Sequence, residues 1–271
     1  MIAYNNGCSH STHHTSNEHF QNVSSIGFEL FDKLKISNFK SLGLIHRQIQ
    51  PTKFFNEFNN TLLLDSFLLN VSNDGKSNDA IYFESISDIQ KLIDSGKKPD
   101  YVFIQWSGPS RRLAMITRDE MRKDLLSKSE EKKDLYIQNV NLFDYNSHRP
   151  HLEPLASYIT LYYIFSLQQF LKYNDIKYTF CCYMELDKTI ESDYIFSKLD
   201  LNNFICFNNS THPIFDGFRN KMIEIKKLVI DKEGHPSLYG KKFIAHIILR
   251  KLKDLYNLEY SEYNKKFIDN I

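Results

Sequence analysis

Five short apolar runs, at residues 2–5, 67–71, 101–106, 178–184 and 204–207, constrain this chain more than any other feature of it. They are far apart, with helical patterns between most of them, and runs this short that carry aromatic and β-branched residues read as strands. The stretch "DAIYFESISDIQKLIDSG" places Ile81, Ile86, Ile89, Leu92 and Ile93 near helical spacing and ends on Gly96 as a stop. "EPLASYITLYYIFSLQQFLKYN" predicts a long helix, apolar over much of its circumference, and "SLYGKKFIAHIILRKLKDLY" a final helix after Pro236 with Ser237 as its cap. Strands that alternate with helices predict one parallel sheet covered on both faces.

Two segments lie outside that alternation. Residues 28–66 lengthen the first crossover, and residues 113–150, with the charge run "RRLAMITRDEMRKDLLSKSEEKKD", read as a solvated helical insertion. The charged tail at 257–271 is expected to be loosely held. No internal repeat or low-complexity linker appears, so the chain reads as one elaborated domain over residues 1–271.

The chain has 42% hydrophobic residues and a formal net charge of +1, which gives a sizeable core and no global attraction to nucleic acid or an anionic membrane. The four cysteines, Cys8, Cys181, Cys182 and Cys206, form no C-x-x-C pair and read as reduced thiols in a cytosol-like compartment. No basic region followed by an apolar one opens the chain, so the expected location is cytoplasmic. The most apolar helical stretch, 155–171, is interrupted by Ser157, Ser166, Gln168 and Gln169 and predicts a buried helix, not a membrane span.

In an open parallel sheet, functional groups gather at the carboxyl ends of the strands. Four segments belong there: Gly7-Cys8-Ser9 after the first strand, "NVSNDGKSND" after the second, "WSGPSRR" after the third, and "DKEGHPSLYG" before the last helix. A serine hydroxyl attacks a carbonyl only when a base takes its proton, and the histidine pKa suits that at neutral pH. A carboxylate must then orient the imidazole, and backbone amides at a strand-to-helix turn can hold the developing oxyanion.

Together and in this order the four segments resemble the SGNH (GDSL-like) hydrolase family, in particular its divergent members from phages and marine bacteria. The resemblance implies a three-layer α/β/α flavodoxin-like fold, with the five parallel strands in the order 2-1-3-4-5 and the switch point at Ser9. It implies Ser9 as nucleophile, His235 as general base and the amides of Ser9 and Gly75 as oxyanion donors. The triad acid is open between Asp231, which is favoured, and Glu233, because Lys232 stands three residues before the histidine. The family's G-x-N-D block is missing after the third strand, where "WSGPSR" stands, so the third oxyanion donor is open between Asn78 and Ser107. Trp106, Arg111 and His10 are candidate substrate contacts, Arg111 for an anionic part of the substrate. Trp106 is weighed there against simple core packing.

His10, His13, His14 and His19 read as solvated loop residues, without organised carboxylate or cysteine partners for a metal. Cys8, in a G-C-S turn, is expected to point into the sheet. No cofactor is expected, and the expected partner is a small-molecule or glycan acyl ester rather than nucleic acid or membrane. The competing reading is a non-catalytic binding or virion-associated structural protein that kept the fold with a degenerate oxyanion hole. A flavodoxin-like nucleotide binder is disfavoured, because no Gly-rich phosphate loop follows the first strand.

Overall fold

The computed structural model describes residues 1–7, 39–42, 51–72, 76–109, 111–117, 135–141, 152–207 and 212–219, together with scattered positions between 240 and 255. Its centre is a parallel sheet of β1 (Ile2–Asn6), β2 (Phe39–Ser41), β3 (Phe67–Asn70), β4 (Tyr101–Trp106) and β7 (Lys177–Cys182), in the order β2-β3-β1-β4-β7. β1 is central: Tyr4 pairs with Leu69 on one side and with Val102 on the other. The sheet extends to β7 through Val102↔Tyr178 and Trp106↔Cys182. In-register residues of a parallel sheet point to the same face, so Tyr4, Leu69, Ile104, Trp106, Phe180 and Cys182 share one side, and all are buried in the main core.

Helices α1 (Pro51–Leu62), α2 (Asn78–Asp94) and α3 (Leu152–Tyr173) intervene between the strands. α2 starts where Ser77 caps it by accepting the Ala80 amide at 3.3 Å, with Asp79 in the first turn against the helix dipole. It stops at Gly96, whose φ of +75° lies in the left-handed region open to glycine, while the Lys97 amide reaches back to the Leu92 carbonyl at 2.8 Å. α3 buries Leu161, Ile164, Leu167 and Leu171 and exposes Tyr162 and Tyr173. Its apolar stripe faces the core, and no described helix is long and apolar enough to cross a membrane.

The α/β class with a parallel sheet is as expected, and four of the five expected strands pair in the expected order. Three details differ. The fifth run forms a single parallel bridge, Phe180↔Phe204, rather than a strand. Its ladder stops because the Phe207 amide donates instead to the Asp216 carboxylate at 2.6 Å. The sheet gains its fifth strand at the other edge, from Phe39–Ser41, a run too short to show a period. The segment expected to be a helical insertion supplies instead an antiparallel ladder, β5 (Arg111–Thr117) with β6 (Leu135–Asn141). Charged residues between those strands gave the segment its helical composition, whereas the strands themselves hold Ile116, Thr117, Ile137 and Val140, residues suited to a pleated surface. The tail at 257–271 lies outside the described residues.

Candidate functional site

The chain runs from β1 through β2 and β3 on one side, then crosses to β4 on the other, so the topological switch point lies between β1 and β4. At such a point the loops leaving the carboxyl ends of neighbouring strands part in opposite directions and leave a crevice. Gly7 leaves β1 there, Ser72 and Lys76 flank the segment 73–75 that follows β3, and Ser107 leaves β4. Ser9, His10, Gly75, Asp231, Glu233 and His235 lie outside the described residues. Two of them are tied closely by the chain to described ones: Ser9 is two residues past Gly7, and Gly75 is the residue before Lys76.

Asn78 and Ser107 are brought together. Asn78 Oδ1 accepts the Ser107 amide at 2.7 Å, and Asn78 Nδ2 donates to the Ser107 carbonyl at 3.3 Å and to Thr160 Oγ1 at 3.1 Å. Thr160 Oγ1 in turn donates to the Ala156 carbonyl one turn earlier in α3. The first residue of α2 thereby holds the end of β4 and the flank of α3 in one buried neutral knot. Both amide protons of Asn78 are used in it, as is the backbone N–H of Ser107. The Ser107 hydroxyl accepts from Arg111 Nη1 at 3.3 Å. Arg111 is partly exposed, whereas Asn78 and Ser107 are not.

Trp106 is a core residue and not a substrate platform. It has no exposed surface, and its ring meets Phe180 edge-on at 5.7 Å between centroids. The alternation of β4 explains this: Ile104 and Trp106 point to the face covered by α2 and α3.

Two features went unread in the sequence. Lys76, completely buried, donates from Nζ to Asn6 Oδ1 at 2.7 Å, to the Val71 carbonyl at 2.5 Å and to Glu84 Oε2 at 2.7 Å. Asn6 Oδ1 also accepts the Gly7 amide at 2.8 Å, while its Nδ2 donates to Tyr4, Ile81 and Ser85. On the opposite face of β1, Asn5 Nδ2 donates to Asn70 Oδ1 at 2.9 Å and to Ser72 Oγ at 3.1 Å, and the Ser72 hydroxyl is bonded to Asn70 Oδ1 as well. The strand ends that carry the candidate site are thus fixed from both faces. The only sequence signal was the polarity of "NN" at the end of an otherwise apolar strand.

The second unread feature is Asp216, buried near the end of β7. It accepts from Cys206 Sγ at 2.8 Å and from the Phe207 amide, and its charge adds to burial in pushing the Cys182 thiol far up from its ordinary value. Among the described residues no three His, Cys, Asp or Glu side chains converge as metal ligands.

No protein-family model matches the sequence, and no curated protein does. Among solved structures, LAE5, an alpha/beta hydrolase enzyme from the metagenome of Lake Arreo, Spain, is 14% identical to this chain. The match covers 92% of this chain and 94% of that one at a TM-score of 0.38, a score too low to bear on activity.

Proposed function

We propose that the protein is a serine ester hydrolase of SGNH type, acting on a small acyl ester or on an O-acetyl group of a glycan. The observation that carries this reading is the sheet order. β1 is central at the switch point, so Gly7, two residues before Ser9, leaves the sheet between Ser72 at the end of β3 and Ser107 at the end of β4, which supports this reading. In the proposed reaction Ser9 Oγ attacks the acyl carbon while His235 takes the hydroxyl proton, held in its tautomer by Asp231 or Glu233. The tetrahedral oxyanion collapses, the alcohol leaves with the proton returned by His235, and an acyl-Ser9 ester remains. Water, deprotonated by the same imidazole, then releases the acid and restores Ser9.

The oxyanion is assigned to the amides of Ser9 and Gly75, with the Ser107 hydroxyl in place of the family's asparagine. Asn78 stands behind it as the group that fixes the Ser107 backbone. One such donor lowers the barrier by about 3 kcal/mol. Arg111, reaching Ser107 Oγ from the start of β5 and partly exposed, is assigned to an anionic part of the substrate.

A second reading, a non-catalytic binding or virion-associated protein, is favoured by one observation: both candidate replacements for the missing asparagine are buried and bonded to each other. A fluorophosphonate probe separates the two. The esterase is expected to be labelled at Ser9, with labelling abolished in Ser9→Ala. An unlabelled native chain that also cleaves no p-nitrophenyl ester sinks the esterase and leaves the binding protein.

A further inference from the structure

We propose that Lys76 is a positioning residue that locks the candidate nucleophile turn and the candidate oxyanion loop into one register, an inference that rests on the esterase reading. A lysine with no exposed surface is unusual, because its ammonium must find a counter-charge and an acceptor for each of its three protons. Here those acceptors come from three separate pieces of chain. Asn6 Oδ1, at 2.7 Å, is the side chain of the last residue of β1. The Val71 carbonyl, at 2.5 Å, is one residue past β3. Glu84 Oε2, at 2.7 Å, lies on α2 and is nearly buried itself.

Placement distinguishes this from ordinary core architecture. Asn6 Oδ1 is shared: it accepts from Lys76 and, at 2.8 Å, from the Gly7 amide, so the ammonium and the first peptide of the Gly-Cys-Ser turn hold the same oxygen. In sequence Lys76 directly follows Gly75. One buried cation therefore ties the end of β1 at Asn6 and Gly7, two residues before Ser9, to Lys76, the residue after Gly75. A core of this kind packs as stably with apolar side chains in place of an ion pair, so stability alone does not call for a lysine. Register does. A serine and an oxyanion amide displaced by about 1 Å lose on the order of a hundredfold in rate even with every catalytic group present. The carboxylate of Glu84 is paired with the ammonium at 2.7 Å, and the proposed role of the pair is geometric.

The test uses the full chain and three readouts: the rate of Ser9 phosphonylation by a fluorophosphonate, kcat and KM on a p-nitrophenyl acyl ester, and circular dichroism with thermal unfolding. Lys76→Met keeps the length of the side chain and removes its donors. The expected result is a folded protein whose phosphonylation rate and kcat both fall ten- to hundredfold, with KM changed less than about threefold. Glu84→Gln, which leaves the lysine bonded to Asn6 and Val71, is expected to lose two- to fivefold in the same two rates. Lys76→Met that is folded and phosphonylated within twofold of the native rate overturns the proposal. Should Lys76→Met not fold, Glu84→Gln at the native rate overturns it. A native chain that is not labelled at Ser9 overturns the esterase reading and this inference with it, whereas native labelling with unaffected variants overturns this inference alone.

Discussion

Two buried polar knots flank the switch point, and they are built on opposite principles. On the β1 side, Asn6, Lys76 and Glu84 bury a cation and its counter-ion to join β1, the end of β3 and α2. On the β4 side, Asn78, Ser107 and Thr160, all neutral, join α2, β4 and α3, and the one charged group the described contacts bring to them is Arg111, at the Ser107 hydroxyl. Both hang on the first turns of the same helix, and both are closed to solvent apart from a small part of Glu84. A neutral knot loses hydrogen bonds when one member is removed. A charged knot strands an ion in a medium that cannot solvate it, which is a larger penalty in kind as well as in size.

The largest expected effect follows from that difference. Glu84→Ala removes the carboxylate paired with the buried Lys76 ammonium and is expected to cost about 3–5 kcal/mol of unfolding free energy. Urea denaturation of Glu84→Ala, Lys76→Met and the double variant checks it. The double variant should be less destabilised than the sum of the singles, because each single strands a partner that the double removes. Additive losses would mean that the two side chains do not act as a pair, and the comparison between the knots would fall.

Asn78→Ala is the matching change in the neutral knot. It leaves the Ser107 amide and carbonyl without their Asn78 partner in a buried place, for an expected loss of about 2 kcal/mol. On the esterase reading it should also lower turnover roughly tenfold by loosening the Ser107 backbone, with Ser107→Ala lowering it further. A stability loss in Asn78→Ala as large as that of Glu84→Ala would erase the distinction between the two knots.

Much of the scaffold around these knots is legible in the sequence. The runs at 67–71, 101–106 and 178–184 are nearly pure apolar strands, as strands buried on both faces must be, and they pair in the expected order. What was illegible depended on tertiary competition. Nothing in "FICF" foretells that Asp216 takes the Phe207 amide and ends the ladder after one bridge. The hairpin of β5 and β6 was hidden by the charges between its strands. At the site, Trp106 reads from the sequence either as a substrate contact or as core packing, and its place on β4 turns it into the core. Lys76 sat inside a quoted motif and went unread, because in a loop-like string of Ser, Asn, Asp and Gly a lysine carries no sign that it will be buried. Asn78 was read as a donor to substrate, yet its neighbours in space spend its amide protons inside the fold.

The smallest expected effect at neutral pH concerns a third way of burying an ionisable group, and it sharpens the contrast with Lys76. Cys182, at the end of β7, has no exposed surface, and the carboxylate of Asp216, of the same sign as a thiolate, acts on it. Burial first, and Asp216 second, push the thiol far above its ordinary value of 9.0, so Cys182 stays protonated, in contrast with Lys76, which is paired with the opposite charge of Glu84. The sign of the linkage follows. Below the unfolded value both states hold the proton and the group contributes no pH dependence. As pH rises past 9.0 the unfolded chain releases its thiol proton while the folded chain keeps it, so stability falls with pH. One such group accounts for a slope of about 1.4 kcal/mol per pH unit once well past that value. Urea melts of the native protein and of Cys182→Ala between pH 8 and roughly pH 10.5 measure it. The two should share one slope near pH 8, and the variant should lose stability more slowly by about one proton at the alkaline end. Equal slopes throughout would show that the Cys182 thiol ionises in the folded protein, and that burial beside Asp216 does not hold its proton.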